Sequence, residues 1–134
     1  MRVIVCLDER SGMMFNNRRQ SRDRVLIEDI IKDLKDEKLL ISPYSKMLFE
    51  GTDAKIKVEN DPLKAAKQDE ACFIEDKHLS EYKGEIDILV IYRWNRHYPC
   101  DFYFDLDINE YKLVSSCEFA GSSHEKITKE VYKR

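Results

Sequence analysis

The run Arg2 to Leu7 sets aliphatic and β-branched residues between charged neighbours, which predicts a short buried strand. Asp8 to Asn17 follows as a loop carrying Gly12. Leu26, Ile27, Ile30, Ile31 and Leu34 fall on one face at helical spacing. They predict a helix capped by Ser21 and running to about Lys35, with Asp23 in its first turn, where a negative charge suits the helix dipole. Lys38 to Ser42 reads as a second strand. Ser42-Pro43 then supplies a cap and a first-turn proline for a helix over Tyr44 to Phe49. Ile56 to Val58 alternates with charged residues as a third strand, and Asp61-Pro62 repeats the cap-and-proline signal for a short helix through Lys67. Ala71 to Ile74 is a fourth strand. Leu79 and Tyr82 belong to a short helix, and Ile86 to Tyr92 is the strongest strand pattern in the chain.

Beyond this point the pattern changes. Asp101 to Phe104, Tyr111 to Phe119 and Lys126 to Tyr132 read as strands with no helices between them. Strands alternating with helices imply parallel neighbours, since parallel pairing needs a crossover connection. The helix-free tail implies antiparallel pairing at one end. The expected class is therefore α/β, with a mostly parallel sheet flanked by helices and antiparallel C-terminal strands, in a single domain over residues 1–134.

Composition narrows the picture only in places. With 43% hydrophobic and 37% charged residues, the chain can build a core under a heavily charged surface. A net charge of −3 gives no global attraction to nucleic acid or anionic membrane, so any such partner must find a local patch. No apolar run approaches a bilayer span, and the N-terminus lacks the shape of a signal peptide. Cys6, Cys72, Cys100 and Cys117 stand singly without a CxxC pair, which points to reduced thiols and a cytoplasmic location.

The order of elements, together with particular segments, resembles the dihydrofolate reductase family. Tyr92 to Phe104 looks like that family's strand followed by an acidic-threonine-aromatic-phenylalanine-proline segment. Asp101, Tyr103 and Phe104 match, whereas Phe102 replaces the threonine and Asp105 the proline. Tyr111 to Val114 resembles the next strand, and Gly121 to His124 followed by Ile127 to Tyr132 resembles the final hairpin. Val3 to Val5 with Gly12-Met13 resembles the first strand and its substrate-flanking loop. The resemblance covers nearly the whole chain, carried by order and spacing more than by any one motif.

The departures fall on the chemistry. The family ends one strand in two glycines, because backbone must approach the phosphates of NADPH at a helix N-terminus. Here Ala71 to Ile74 ends in Glu75-Asp76, whose carboxylates repel a pyrophosphate. The family's glycine-basic-threonine run is replaced by Ser42-Pro43-Tyr44-Ser45, leaving two hydroxyls and Lys46 to meet an anion. The middle is also shortened, as though a strand had been lost. The resemblance further implies that an acid at the start of the first helix bonds the substrate ring and assists its protonation; Asp23 falls near that place. The simpler reading of Asp23 is support of the helix dipole.

Two further runs carry chemistry of their own. Arg18, Arg19, Arg22 and Arg24 beside a helix N-terminus can hold a phosphate or carboxylate, or can pair with acids such as Glu28 and Asp29 on a solvated face. Arg93, Trp94, Arg96 and Tyr98 interleave cations with aromatics, which suits base stacking, but also suits a strand end with Trp94 packed inward. Ser122-Ser123-His124-Glu125 reads as a hairpin turn, since adjacent residues rarely form a working triad. His78, His97 and His124 are too dispersed for a metal site, and Asp101, Asp105 and Asp107 read as one polar strand face.

Three functional readings follow. The first is a divergent reductase-fold protein with a small-molecule pocket and no conventional use of NADPH. The second is a nucleotide- or RNA-binding protein using Arg18, Arg19, Arg22, Trp94 and Arg96. The third is an active pteridine reductase with a rearranged cofactor site. Asp23 as an acid in a cleft favours the first.

Overall fold

The computed structural model describes residues 1–134. Five parallel strands form the body of a seven-stranded sheet. They are β1 (Arg2–Leu7), β4 (Lys38–Ile41), β5 (Lys55–Val58), β6 (Ala71–Phe73) and β7 (Ile88–Arg93). Two antiparallel strands, β9 (Lys112–Phe119) and β10 (Ile127–Lys133), complete it in the order β5-β4-β6-β1-β7-β10-β9. The switch from parallel to antiparallel falls between β7 and β10, where the sequence runs out of crossover helices.

Alternation along β1 divides the core. Val3, Val5 and Leu7 join Leu40, Cys72, Ile74, Leu89 and Ile91 on one face. Ile4 joins Leu39, Ile41, Phe73, Val90 and Tyr92 on the other, against the helix α1 (Arg24–Leu34). α1 buries Leu26, Ile27, Ile30 and Leu34 of the expected stripe, while Ile31, at its edge, is half-buried. It ends at Lys35, whose φ of 57° leaves the helical region while its N–H bonds Lys32 O. The cap at its other end is Asp23 and not Ser21. Asp23 has extended backbone, and its Oδ1 accepts from the N–H groups of Val25 and Leu26. Asp23 therefore lies outside the first turn, at the position where a short acceptor satisfies the orphan donors of the helix.

The Asp8–Asn17 segment is more ordered than a loop. Strand β2 (Gly12–Phe15) pairs with β3 (Arg18–Arg19) through Asn16 and Asn17, both left-handed at φ 53° and 60°. A two-residue hairpin turn requires this conformation, and asparagine tolerates it. β8 (Phe102–Tyr103) pairs with the other side of β2, giving a separate three-stranded sheet. The strand expected at Asp101–Phe104 thus leaves the main sheet and covers the N-terminal hairpin. Pro43–Phe49 winds as a 3₁₀ helix, with no side-chain cap from Ser42. Asp61 does cap the short α2 (Pro62–Ala65). No helix is long and apolar enough to cross a membrane.

Candidate functional site

All five parallel strands end on one edge of the sheet. Leu7-Asp8, Ile74-Glu75 and Arg93-Trp94 follow their strands there, at the edge where open α/β sheets place ligands. A cavity of about 20 Å³ lies at this edge, lined by Cys6, Arg19, Gln20, Asp23, Glu75 and Trp94 among others. That volume holds roughly one water molecule and no bicyclic ring. Cys6 is protonated there, because burial and then the carboxylates of Glu75 and Asp23 push its thiol well above the ordinary range.

Asp23 is committed to the protein. Its Oδ1 accepts from Val25 N at 3.0 Å, Leu26 N at 3.2 Å and Ser122 N at 2.9 Å. Its Oδ2 accepts from Ser123 N and His124 Nδ1, each at 2.9 Å. The Ser122 hydroxyl adds a sixth donor at 3.2 Å while accepting from Arg24 N at 2.9 Å. Burial alone raises the carboxyl's pKa, but the bonds from His124, Ser122, Ser123 and Leu26 outweigh it and hold the group well below the usual carboxylate range. An ionised carboxylate with its lone pairs filled does not suit proton donation to a ring.

His124 is the partner that sequence reasoning set aside. Gly121 N bonds His124 O at 2.9 Å, closing the turn before β10 and aiming the imidazole inward. Trp94 stacks on that ring, with centroids 4.5 Å apart and planes 24° from parallel. Because the ionised Asp23 only accepts, Nδ1 carries a proton and Nε2 faces two hydroxyls, Ser21 Oγ at 3.0 Å and Tyr98 Oη at 2.8 Å. Asp8 is a second buried carboxylate. It accepts from Arg10 N, Gly12 N, Gln20 Nε2 and Tyr98 N, and ties β1 to both covering segments.

The phosphate-approach positions implied by the resemblance are closed from within. Arg19 donates through Nε and Nη2 to Glu75 at 2.9 and 3.0 Å, a bidentate pair with both side chains at most 15% exposed. Ser45 Oγ donates to Glu75 at 2.7 Å and Ser42 Oγ to Asp76 at 3.1 Å, so the hydroxyls expected to meet an anion meet these carboxylates. Arg19 also lies over the Tyr44 ring, and its N–H donates to the Tyr44 hydroxyl at 2.6 Å. The residues here do not fit the phosphates of a dinucleotide.

Of the remaining candidates, Arg22 lines the small cavity with Arg19, Asp23 and Trp94, whereas Arg18 and Arg96 do not. Trp94 is 4% exposed, so no base can stack on it, and it shares no open face with the exposed Arg18 and Arg96. Arg24 pairs with Glu28 at 2.7 Å, the solvated pairing considered for this run. Asp101, Asp105 and Asp107 do not act as one strand face. Asp101 accepts from Asn16 N, Asp105 from Leu79 N and Asp107 from Asn109 N.

A wider groove opens on the outer side of this cluster. Its volume is about 910 Å³, and it lies between the start of α1, the Met47–Thr52 segment and the Ser122-Ser123 turn. Ser21 and Arg22 line both spaces, and Ile27, Met47 and Leu48 give the groove its apolar wall. Arg22 is exposed and forms no ion pair.

No protein-family model and no curated protein matches the sequence. Among solved structures, a dihydrofolate reductase from Enterococcus faecalis, complexed with NADP(H) and RAB-propyl, aligns with 99% of this chain and 95% of its own. The TM-score is 0.69 at 11% sequence identity. The chain has a dihydrofolate-reductase-like fold.

Proposed function

We propose that residues 1–134 act as one domain that binds a small carboxylate-bearing molecule in the groove beside Arg22, and that it is not a conventional NADPH-dependent reductase. The observation that carries this reading is the 910 Å³ groove, whose one cation free of an acidic partner is Arg22. Ser21, Ser122 and Ser123 add hydroxyls along the same wall. Only three of the thirteen lining residues, Ile27, Met47 and Leu48, are hydrophobic, and Glu28 and Glu50 share the wall, so placed polar groups more than apolar burial hold the ligand. The case against NADPH rests on Glu75 and Asp76, which take the donors a phosphate needs. Four free thiols support a reducing compartment such as the cytoplasm.

A thermal-shift series against acetate, succinate, benzoate, folate and NADPH tests the reading. A ligand that binds only the folded state raises apparent stability by mass action. A carboxylate from the small members is expected to raise Tm, and Arg22→Ala to remove the shift. Stabilisation by NADPH at micromolar concentration, or none by any carboxylate, overturns it.

A further inference from the structure

We infer that Ser21, His124 and Asp23 form a nucleophilic triad that hydrolyses a small carboxylic ester bound in the groove. The inference rests on the groove being a ligand site. Its basis is an unbroken relay between two segments distant in sequence. Asp23 Oδ2 accepts from His124 Nδ1 at 2.9 Å, and His124 Nε2 stands 3.0 Å from Ser21 Oγ. This order, carboxylate to Nδ1 and Nε2 to hydroxyl, is what general-base activation of a serine requires, and it recurs on unrelated folds. Ser21 and Asp23 both lie in the β3–α1 connection and His124 in the β9–β10 turn, so the fold brings the base to the other two.

The surroundings suit the chemistry. Ser21 is half-buried and faces the groove, while the His124 and Asp23 side chains are at most 1% exposed. The Trp94 face stabilises an imidazolium when one forms. The N–H of Arg22 follows the nucleophile directly and has no acceptor in the protein, which leaves it free for a developing oxyanion. Arg22's guanidinium favours an ester bearing a second, anionic group, and Ile27, Met47 and Leu48 a short apolar acyl part.

The steps balance. Ser21 Oγ attacks the ester carbonyl carbon as His124 Nε2 takes the hydroxyl proton. The tetrahedral adduct collapses by breaking the carbon–oxygen bond to the leaving alkoxide, which receives that proton as an alcohol. Water then attacks the acyl-serine by the same proton path, releasing the carboxylic acid and restoring Ser21. Nε2 has one lone pair to share, so the Tyr98 hydroxyl at 2.8 Å competes with Ser21 for it.

The test is covalent labelling of the whole protein with a fluorophosphonate, read by mass spectrometry, beside turnover of p-nitrophenyl acetate. One label per chain on Ser21 is expected, lost in Ser21→Ala and His124→Gln and kept in Ser115→Ala. Asp23→Asn, which turns the imidazole tautomer, is expected to slow labelling by about 10³-fold or more with far-UV circular dichroism unchanged. Tyr98→Phe is expected to speed it. No label on folded wild-type protein, or a label surviving Ser21→Ala, overturns the triad. If carboxylates raise Tm through Arg22 while the reagent fails, the groove stands and the triad falls. If neither occurs, both fall.

Discussion

His124 Nδ1 donates to Asp23 Oδ2 at 2.9 Å across 101 positions of the chain, joining the turn before the last strand to the cap of α1. Both side chains are almost wholly buried. The bond makes the start of α1 and the C-terminal hairpin one unit, and it lies on the sheet edge where the groove opens.

Asp23 gives the protein an acid-sensitive limb. Its folded-state pKa lies below the unfolded value, so as pH falls the unfolded chain takes up the proton first. The stability contributed by Asp23 is complete above the unfolded value near pH 4 and is lost progressively as pH falls below it toward the depressed folded value. Urea midpoints at pH 7 and pH 3 are expected to differ markedly in wild type and less in Asp23→Asn. Asp105 is shifted downward too, the Leu79 and Ser80 bonds outweighing burial, so the variant flattens the acid limb without abolishing it.

Glu75→Gln leaves Arg19 half-buried without its counter-charge. The expected cost is about 2 kcal/mol, the range for a hydrogen bond to a charged group, seen as a lower urea midpoint. Because Arg19 pins β3, backbone amides of residues 16–22 should also exchange faster with deuterium. Unchanged exchange there would show that Tyr44 alone holds the segment.

Glu75→Gly with Asp76→Gly removes both carboxylates and frees Arg19, Ser42 and Ser45 as anion donors. Calorimetry with NADPH is expected to show binding absent from the wild type. Absence of binding in a folded double variant would mean that more than these two side chains separates the cleft from a dinucleotide.

Gly121→Ala places a methyl group against the Asp23 carboxylate and Ile127, where the nearest atoms leave no space for it. Overpacking of this kind costs about 1–3 kcal/mol. Because it strikes the Asp23–His124 junction, near-UV circular dichroism from Trp94 is expected to change along with Tm. A variant with wild-type Tm would show that the turn relaxes freely.

Leu26→Ala removes a side chain 1% exposed from the α1 face, with an expected loss of about 2–5 kcal/mol. Leu113→Ser on β9, where Leu113 is 53% exposed, is expected to change stability by less than about 0.5 kcal/mol. The contrast is measurable by denaturant unfolding of the two variants side by side.

Sequence alone was sufficient for the elements whose signal is local and periodic. The α1 stripe and the alternating β1 faces each reflect one repeated choice between water and core and appear where the pattern places them, whereas a short 3₁₀ helix, Ile108–Glu110, interrupts the tail that the pattern reads as helix-free. Glu75 and Asp76 were legible as carboxylates at the end of a strand, but that they are met by Arg19, Ser45 and Ser42 was not. The Asn16-Asn17 turn was present as a local signal too, though weak beside the polar loop around it. What tertiary structure alone decided is which polar groups meet. Ser21 and Asp23 lie two positions apart, but the base between them is His124 from the far end of the chain. Glu75 is answered by Arg19 across 56 positions, and Trp94 turns from a candidate stacking surface into the wall behind an imidazole. Hydrophobic periodicity leaves its mark residue by residue, whereas a hydrogen bond needs its partner within about 3 Å, and only the folded chain sets that distance.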